Sequence, residues 1–214
     1  EIGEASLDHL RREFKRSAWR CLVEKLELRR YMSSEKQRKL DATFYGHANR
    51  RGDADGIDDF PEVSEESILE VVQGYASAVP EFIDESIREE WEFWIPRRDQ
   101  YKTNSEKWKV SKKIIHGYIM RPWDKWDSDH RVRYDEQSHV SNLDNIFHLL
   151  DGKGFIKSHY GPLLSALQNN KTGYAETAYF TAKMFKNGNL HLTIKRDDLL
   201  DKFNEIGCGE GSAL

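Results

Sequence analysis

The chain is sparing with the residues that build cross-links, metal cages and membrane spans. Its 214 residues include two cysteines, Cys21 and Cys208. A structural zinc site needs about four Cys or His ligands at close spacing; no such run occurs, so no metal is expected. Two thiols also fit a reducing compartment, which makes a cytoplasmic location the expectation. No stretch approaches the roughly eighteen consecutive apolar residues of a membrane-crossing helix. The opening residues, Glu1 to Leu10, have neither a basic flank nor an apolar run, so no signal peptide is expected there. No methyltransferase-type glycine loop occurs, and no cofactor is expected. Positive charge is not in excess either: 33 Lys and Arg face 37 Asp and Glu, a net of -4. That excludes a chain coated uniformly in positive charge to grip any duplex, while leaving room for a local basic surface.

What is present suffices for a core. Hydrophobic residues make up 38% of the chain and aromatics 12%, against 33% charged, the balance of a folded globular protein rather than a disordered one. Charge is unevenly spread. Residues 1–95 hold 14 basic and 22 acidic side chains, whereas residues 96–214 hold 19 and 15. The stretch 97–133 alone carries 11 basic and 5 acidic residues, so any surface that meets a polyanion is expected from the second half. The expected organisation is an acidic helical region over 1–96, a basic region over 97–206 ending in a strand hairpin and a short helix, and a flexible tail over 207–214.

Periodicity sets the elements. Leu7, Leu10, Phe14, Ala18, Cys21, Leu22 and Leu26 recur every three or four residues and predict a helix from Ser6 to Tyr31 with these positions inward. A shorter helix is predicted over Ser34 to Tyr45. The polar run Gly46 to Phe60 reads as a loop; its Asp53 and Asp55 do not continue into a calcium-hand pattern. Ser64 and Ser67, with Glu65 and Glu66 between them, mark a helix start, and Pro80 predicts its break before a second helix that ends near Pro96. Lys107 to Ile119 reads as a helix that Pro122 stops. Leu143 to Leu150 and Pro162 to Asn169 read as short helices. The period then changes. Tyr179 to Phe185 and Leu190 to Ile194 read as strands around Asn187-Gly188, a strong hairpin signal, and Asp197 opens a last helix. The fold class is therefore α+β, a mostly helical body with a small antiparallel C-terminal sheet or hairpin.

Two sets of residues carry candidate chemistry. His191, Thr193 and Lys195 share one strand face by parity. A histidine that moves a proton at the 2'-hydroxyl, with Lys195 and Arg196 neutralising the phosphate, suits metal-free RNA cleavage; His159 and Tyr160 are candidates to complete that site. The second set is a phosphate-facing patch of Arg97, Arg98, Tyr101, Lys102, Asn104, Lys109, Lys112 and Lys113. Basic heads and amide donors hold backbone oxygens there, and Tyr101 is placed to stack on a base. Lys109, Lys112 and Lys113 fall near one face if the segment is helical. Glu89, Glu90 and Glu92 are a weaker alternative, a carboxylate cluster for a metal-dependent nuclease. Tryptophans such as Trp91 and Trp94 read as core anchors.

Two segments, Arg97 to Ile115 and Tyr179 to Asn204, resemble the family called domain of unknown function 4942, and the helix spacing ahead of them extends the likeness over nearly the whole chain. That resemblance implies a setting in phage, plasmid and bacterial genomes, sometimes beside or fused to DNA methyltransferase-like regions; it implies no activity. The functional expectation is a nucleic-acid-processing protein, with RNA or DNA as its partner and metal-independent RNA cleavage as the leading chemistry. The alternatives are a non-catalytic nucleic-acid-binding or adaptor module with a protein partner, such as a methyltransferase or defence complex, and an acidic inhibitor that mimics nucleic acid with its first half. No membrane partner is expected, and sequence leaves the oligomeric state open.

Overall fold

A computed structural model describes residues 4–45, 60–95, 109–120, 131–158, 160–169 and 172–209. Its contacts divide the chain into two units, Glu1–Ser86 and Ile87–Leu214. Among the described residues no helix is long and apolar enough to cross a membrane.

The first unit is helical. Helix α1 spans Glu4–Lys25, a short 3-10 turn follows at Leu28–Tyr31, and α2 spans Ser34–Tyr45. The single predicted helix therefore stops early: Glu27 takes a left-handed φ of 53° and turns the chain. The Ser33 hydroxyl accepts the Lys36 N–H at 3.3 Å and so caps α2. Helix α3 covers Glu65–Trp94 without interruption. Its start is a reciprocal cap, with Ser67 N–H donating to Ser64 Oγ at 3.1 Å and Ser64 N–H donating to Ser67 Oγ at 3.0 Å. The break predicted at Pro80 does not occur. Proline inside a helix costs about 3 kcal/mol, and here the buried residues Ile83, Ile87, Trp91 and Trp94 hold the register beyond it.

The core of this unit gathers Trp19, Val23, Leu28, Met32 and Phe44, with Ile68, Val71 and Phe82 partly buried against them. One sequence expectation reverses here. Leu7, Leu10 and Phe14 do not face inward; Phe14 is 71% exposed.

The second unit is α+β. Strands β1 (Lys113–His116), β2 (Tyr174–Glu176), β3 (Phe180–Met184) and β4 (Leu190–Ile194) form a four-stranded antiparallel sheet in the order β1-β4-β3-β2. Helices α4 (Gln137–Leu150), α5 (Pro162–Asn169) and α6 (Asp197–Gly207) complete it. The β3–β4 hairpin turns as Asn187-Gly188 promises. Gly188 N–H donates to Phe185 O at 3.0 Å, and its φ of 90° makes the left-handed step that only glycine takes without strain.

The helix predicted over 107–119 is a correction: this segment supplies strand β1. Ile114 and Ile115 are β-branched and alternate between buried and half-exposed, and β4 offers them a ladder, Ile114 opposite Leu192 and Ile115 opposite His191. The last helix, predicted over Asp198 to Phe203 behind an Asp197 cap, begins at Asp197 itself, with Arg196 in the cap position, and runs through Gly207.

One sheet face is apolar and buried. Ile114, Leu192, Ala182 and Ala175 form one cross-strand row on it, beside Phe180, Met184, Leu190 and Ile194. Helix α5 packs on β2 and β3, and α4 packs on α5 and α6. Phe147 of α4 meets the Phe180 ring edge-on at 4.8 Å and lies 5.7 Å from Phe203 of α6. Asn204 ties three segments together. Its Oδ1 accepts Trp91 Nε1–H at 3.0 Å and Val110 N–H at 2.7 Å, and its Nδ2 donates to Val110 O at 3.0 Å.

Candidate nucleic-acid interface

The opposite sheet face is built by the same two-residue period. Tyr174 of β2, Lys183 of β3, His191 of β4 and Ile115 of β1 stand in one row; Glu176, Thr181, Thr193 and Lys113 stand in the next. All eight are exposed or half-exposed, and among the described residues no helix covers them. Tyr174 is 43% exposed. Just beyond the row Phe185 lies 4.2 Å from the His191 ring, and Lys183 Nζ sits 5.3 Å from the centre of the Phe185 ring.

The electrostatics of this face are lysine-led. Burial, with the neighbouring Lys183 charge, pushes His191 below the ordinary imidazole range, so at neutral pH it is an uncharged ring. Lys113 and Lys183 have no carboxylate partner among the described residues. Glu176 is the one acid in the two rows. Its Oε1 takes Lys195 Nζ at 2.9 Å, and its Oε2 takes the Tyr174 hydroxyl at 3.1 Å.

Placed on this frame, the sequence candidates separate. His191 and Lys195 share a face but stand about 13 Å apart along the strand direction. Lys195 commits its ammonium to Glu176 and to Thr177 O, each at 2.9 Å. Arg196, one residue on, takes the opposite parity. It pairs with Asp198 at 2.6 Å and with Asp151, at the end of α4, at 3.1 Å. Asp151 also accepts the Tyr179 hydroxyl at 3.0 Å and Lys153 Nζ at 2.6 Å. The Lys153 and Tyr179 hydrogen bonds hold its carboxyl down at about 2.

Tyr160 precedes Gly161, whose N–H donates to Ser141 Oγ of α4 at 2.7 Å. Residue 160 thus belongs to the helical layer, not to the face with His191. His159, Arg97, Arg98, Tyr101, Lys102 and Asn104 lie outside the described residues. Of the basic patch, Lys109 lines a cleft of about 400 Å³ beside Asn204 and Cys208, and Lys112 pairs with Asp197 at 2.7 Å. Among the described residues of the patch, Lys113 alone stands on the open sheet face. The shared helical face expected for these three lysines is absent because the segment is extended: successive residues of a strand point to opposite sides.

Two other polar centres have roles that sequence reasoning did not reach. Glu90, 2% exposed, lies on α3 and receives Asn142 Nδ2–H at 2.9 Å and the His139 imidazole at 3.0 Å. It is a buried structural carboxylate rather than part of an exposed acidic cluster. Burial pushes Glu90 up. For His139 burial pulls down, but the Glu90 hydrogen bond and charge, with Glu136 and Glu89 nearby, outweigh it and raise the imidazole. His139 stacks on Phe93 at 3.7 Å, and Phe93 stacks on His116 at 4.8 Å. The second centre is Asp144, 1% exposed, whose Oδ2 accepts Leu163 N–H at 2.5 Å and so caps α5 from another helix. Burial raises it to about 7. Among the described residues no group of three or more His, Cys, Asp or Glu is placed to hold a metal ion.

Neither a curated protein nor a solved structure matches this chain. A family model does, over residues 11–209, under the description "Domain of unknown function (DUF4942)". The match takes in the four strands and all but the first turns of α1, so the chain belongs to the DUF4942 family.

Proposed function

We propose that this protein is a non-catalytic module that binds single-stranded nucleic acid on the open face of its sheet. The observation that carries this is the composition of that face: the exposed ring of Tyr174 and the half-exposed rings of His191 and Phe185, interleaved with Lys183 and Lys113. Rings stack on unpaired bases of any sequence, and ammonium groups hold the backbone. A duplex keeps its bases stacked on one another and offers such rings nothing. The expected company is the one the family resemblance implies, a DNA methyltransferase-like or defence partner.

Cleavage of RNA is the rival reading. It asks for His191, Lys195 and Arg196 around one phosphate, and these three have different neighbours and directions. The inhibitor reading asks for a continuous acidic face on the first half. Residues 4–45 instead carry 11 basic and 7 acidic residues, and their acids interleave with bases, as in the pairs Arg29–Asp41 and Lys39–Glu35. The acids of α3 include the buried Asp84 and Glu90.

The test is fluorescence anisotropy with labelled single-stranded DNA, single-stranded RNA and duplex 20-mers, in chelator, over a range of salt. Binding of single strands that weakens with salt, is lost in Lys113→Glu/Lys183→Glu, and leaves the probe intact supports the module. Absence of single-strand binding at low salt refutes it. Chelator-resistant cleavage lost in His191→Ala restores the nuclease.

A further inference from the structure

The row that runs Tyr174, Lys183, His191 across three strands alternates ring, cation, ring. Neighbouring strands lie about 4.8 Å apart, so the two rings stand about 10 Å from each other with the lysine midway. We infer that one dinucleotide step of a single strand lies across β2, β3 and β4, at right angles to them. Its two bases rest on Tyr174 and on the His191–Phe185 pair, and the phosphate that links them rests on Lys183. This rests on the platform reading above and specifies where the ligand sits.

Three features select this register. A spacing of about 10 Å is roughly three times the 3.4 Å rise per base along one strand of a duplex, so the two bases must be unstacked from each other. Each finds a protein ring instead, and an ordinary stacked duplex is shut out by the spacing alone. The charges fit the same path. His191 is neutral and serves as a surface for a base rather than a partner for a phosphate, whereas Lys183 carries a fixed charge between the rings. Lys183 has no carboxylate partner among the described residues, unlike Lys195, Lys112 and Arg196.

Finally, the neighbours steer the strand. Glu176, flanking Tyr174, repels a phosphate from the outer end of the row, and Ile115, next after His191, offers none a hydrogen bond. Beyond His191 the backbone is therefore drawn to Lys113, one row over on β1.

Salt-dependent anisotropy of a labelled oligo-dT or oligo-U separates the parts. Each phosphate neutralised on a single strand contributes about 0.7 to the slope of log affinity against log salt. Lys183→Ala is expected to lower that slope by about 0.7. Tyr174→Ala and His191→Ala are expected to weaken binding by roughly five- to a hundredfold with the slope unchanged. Tyr174→Phe, which keeps the ring, is expected to bind like the wild type.

Circular dichroism and thermal melting of each variant report whether the sheet is intact. If Tyr174→Ala and Lys183→Ala bind normally while Lys113→Ala and His191→Ala do not, this register is overturned and the platform survives. If the wild type binds no single strand, both fall together.

Discussion

Helical amphipathicity serves different ends in the two units. In the first, α1 carries a regular apolar stripe, yet only its second half joins the core, through Trp19 and Val23; Leu7, Leu10 and Phe14 stay exposed. In the second, almost every apolar position of α4, α5 and α6 is buried, and polar groups are buried with them: Glu90, Asp144 and Asn204. Burying a polar group costs free energy unless it is hydrogen-bonded, and each of the three finds a partner in another element, although Asp144 leaves its Oδ1 without one among the described residues. The second unit thus adds polar junctions between distant elements to a large apolar core, whereas the first relies on a smaller apolar core and on exposed ion pairs that contribute little each.

Breaking the Glu90 junction is the strongest test of that contrast. His139→Ala leaves a buried carboxylate without its imidazole and is expected to cost about 3–5 kcal/mol in urea denaturation. The wild-type pair also has a pH signature. A folded-state pKa raised above the ordinary imidazole value means that His139 stabilises fully below pH about 6.5 and less as pH rises through its raised value. A pH-independent His139→Ala defect would contradict this.

Asn204→Ala comes next. It orphans the Trp91 ring N–H and both backbone groups of Val110, and is expected to cost roughly 2–4 kcal/mol and to speed hydrogen exchange at Val110.

Asp144→Asn sharpens the comparison through pH. The folded carboxyl sits at about 7 against an ordinary 3.8, so its contribution is greatest at low pH and is lost as pH rises from about 4 to about 7. Asparagine keeps an oxygen for Leu163 N–H and cannot ionise. Its stability relative to wild type is expected to rise by roughly 2–4 kcal/mol between pH 4 and pH 8, read by denaturation at each pH. An unchanged difference would assign Asp144 an ordinary titration.

At the bottom of the scale, Phe14→Ser in the first unit is expected to move stability by less than about 0.5 kcal/mol, while Trp19→Ala, about one and a half turns further along α1, is expected to cost about 3–5 kcal/mol. Equal effects would mean that the α1 stripe is buried in solution.

Much of this was legible in the residues. Helix α2, helix α5, the β3–β4 hairpin and the start of α3 follow from local rules, because caps, turn glycines and short periodic runs act within a few residues of themselves. Three elements hid, each for its own reason. Strand β1 lies in a run whose lysines imitate a helical face. Strand β2 is only three residues, Tyr174–Glu176. The first turns of α4 look too polar for a buried helix, because His139 and Asn142 are spent on Glu90, which is distant in sequence. The candidate site divided in the same way. Parity put His191 on an open strand face, and the alternation of β4 bears that out; Arg196 was misgrouped because its partner Asp151 comes from the end of α4.

By itself the sequence determined the α+β class, the hairpin and the absence of a membrane-crossing run, since these depend on spacing, turn chemistry and composition, which are local. Tertiary structure alone decided which lysines keep their charge available and which carboxylates are buried. A side chain's charge is worth what its neighbours leave of it, and Lys195, Arg196, Glu90 and Asp144 meet neighbours that the chain brings from tens of residues away.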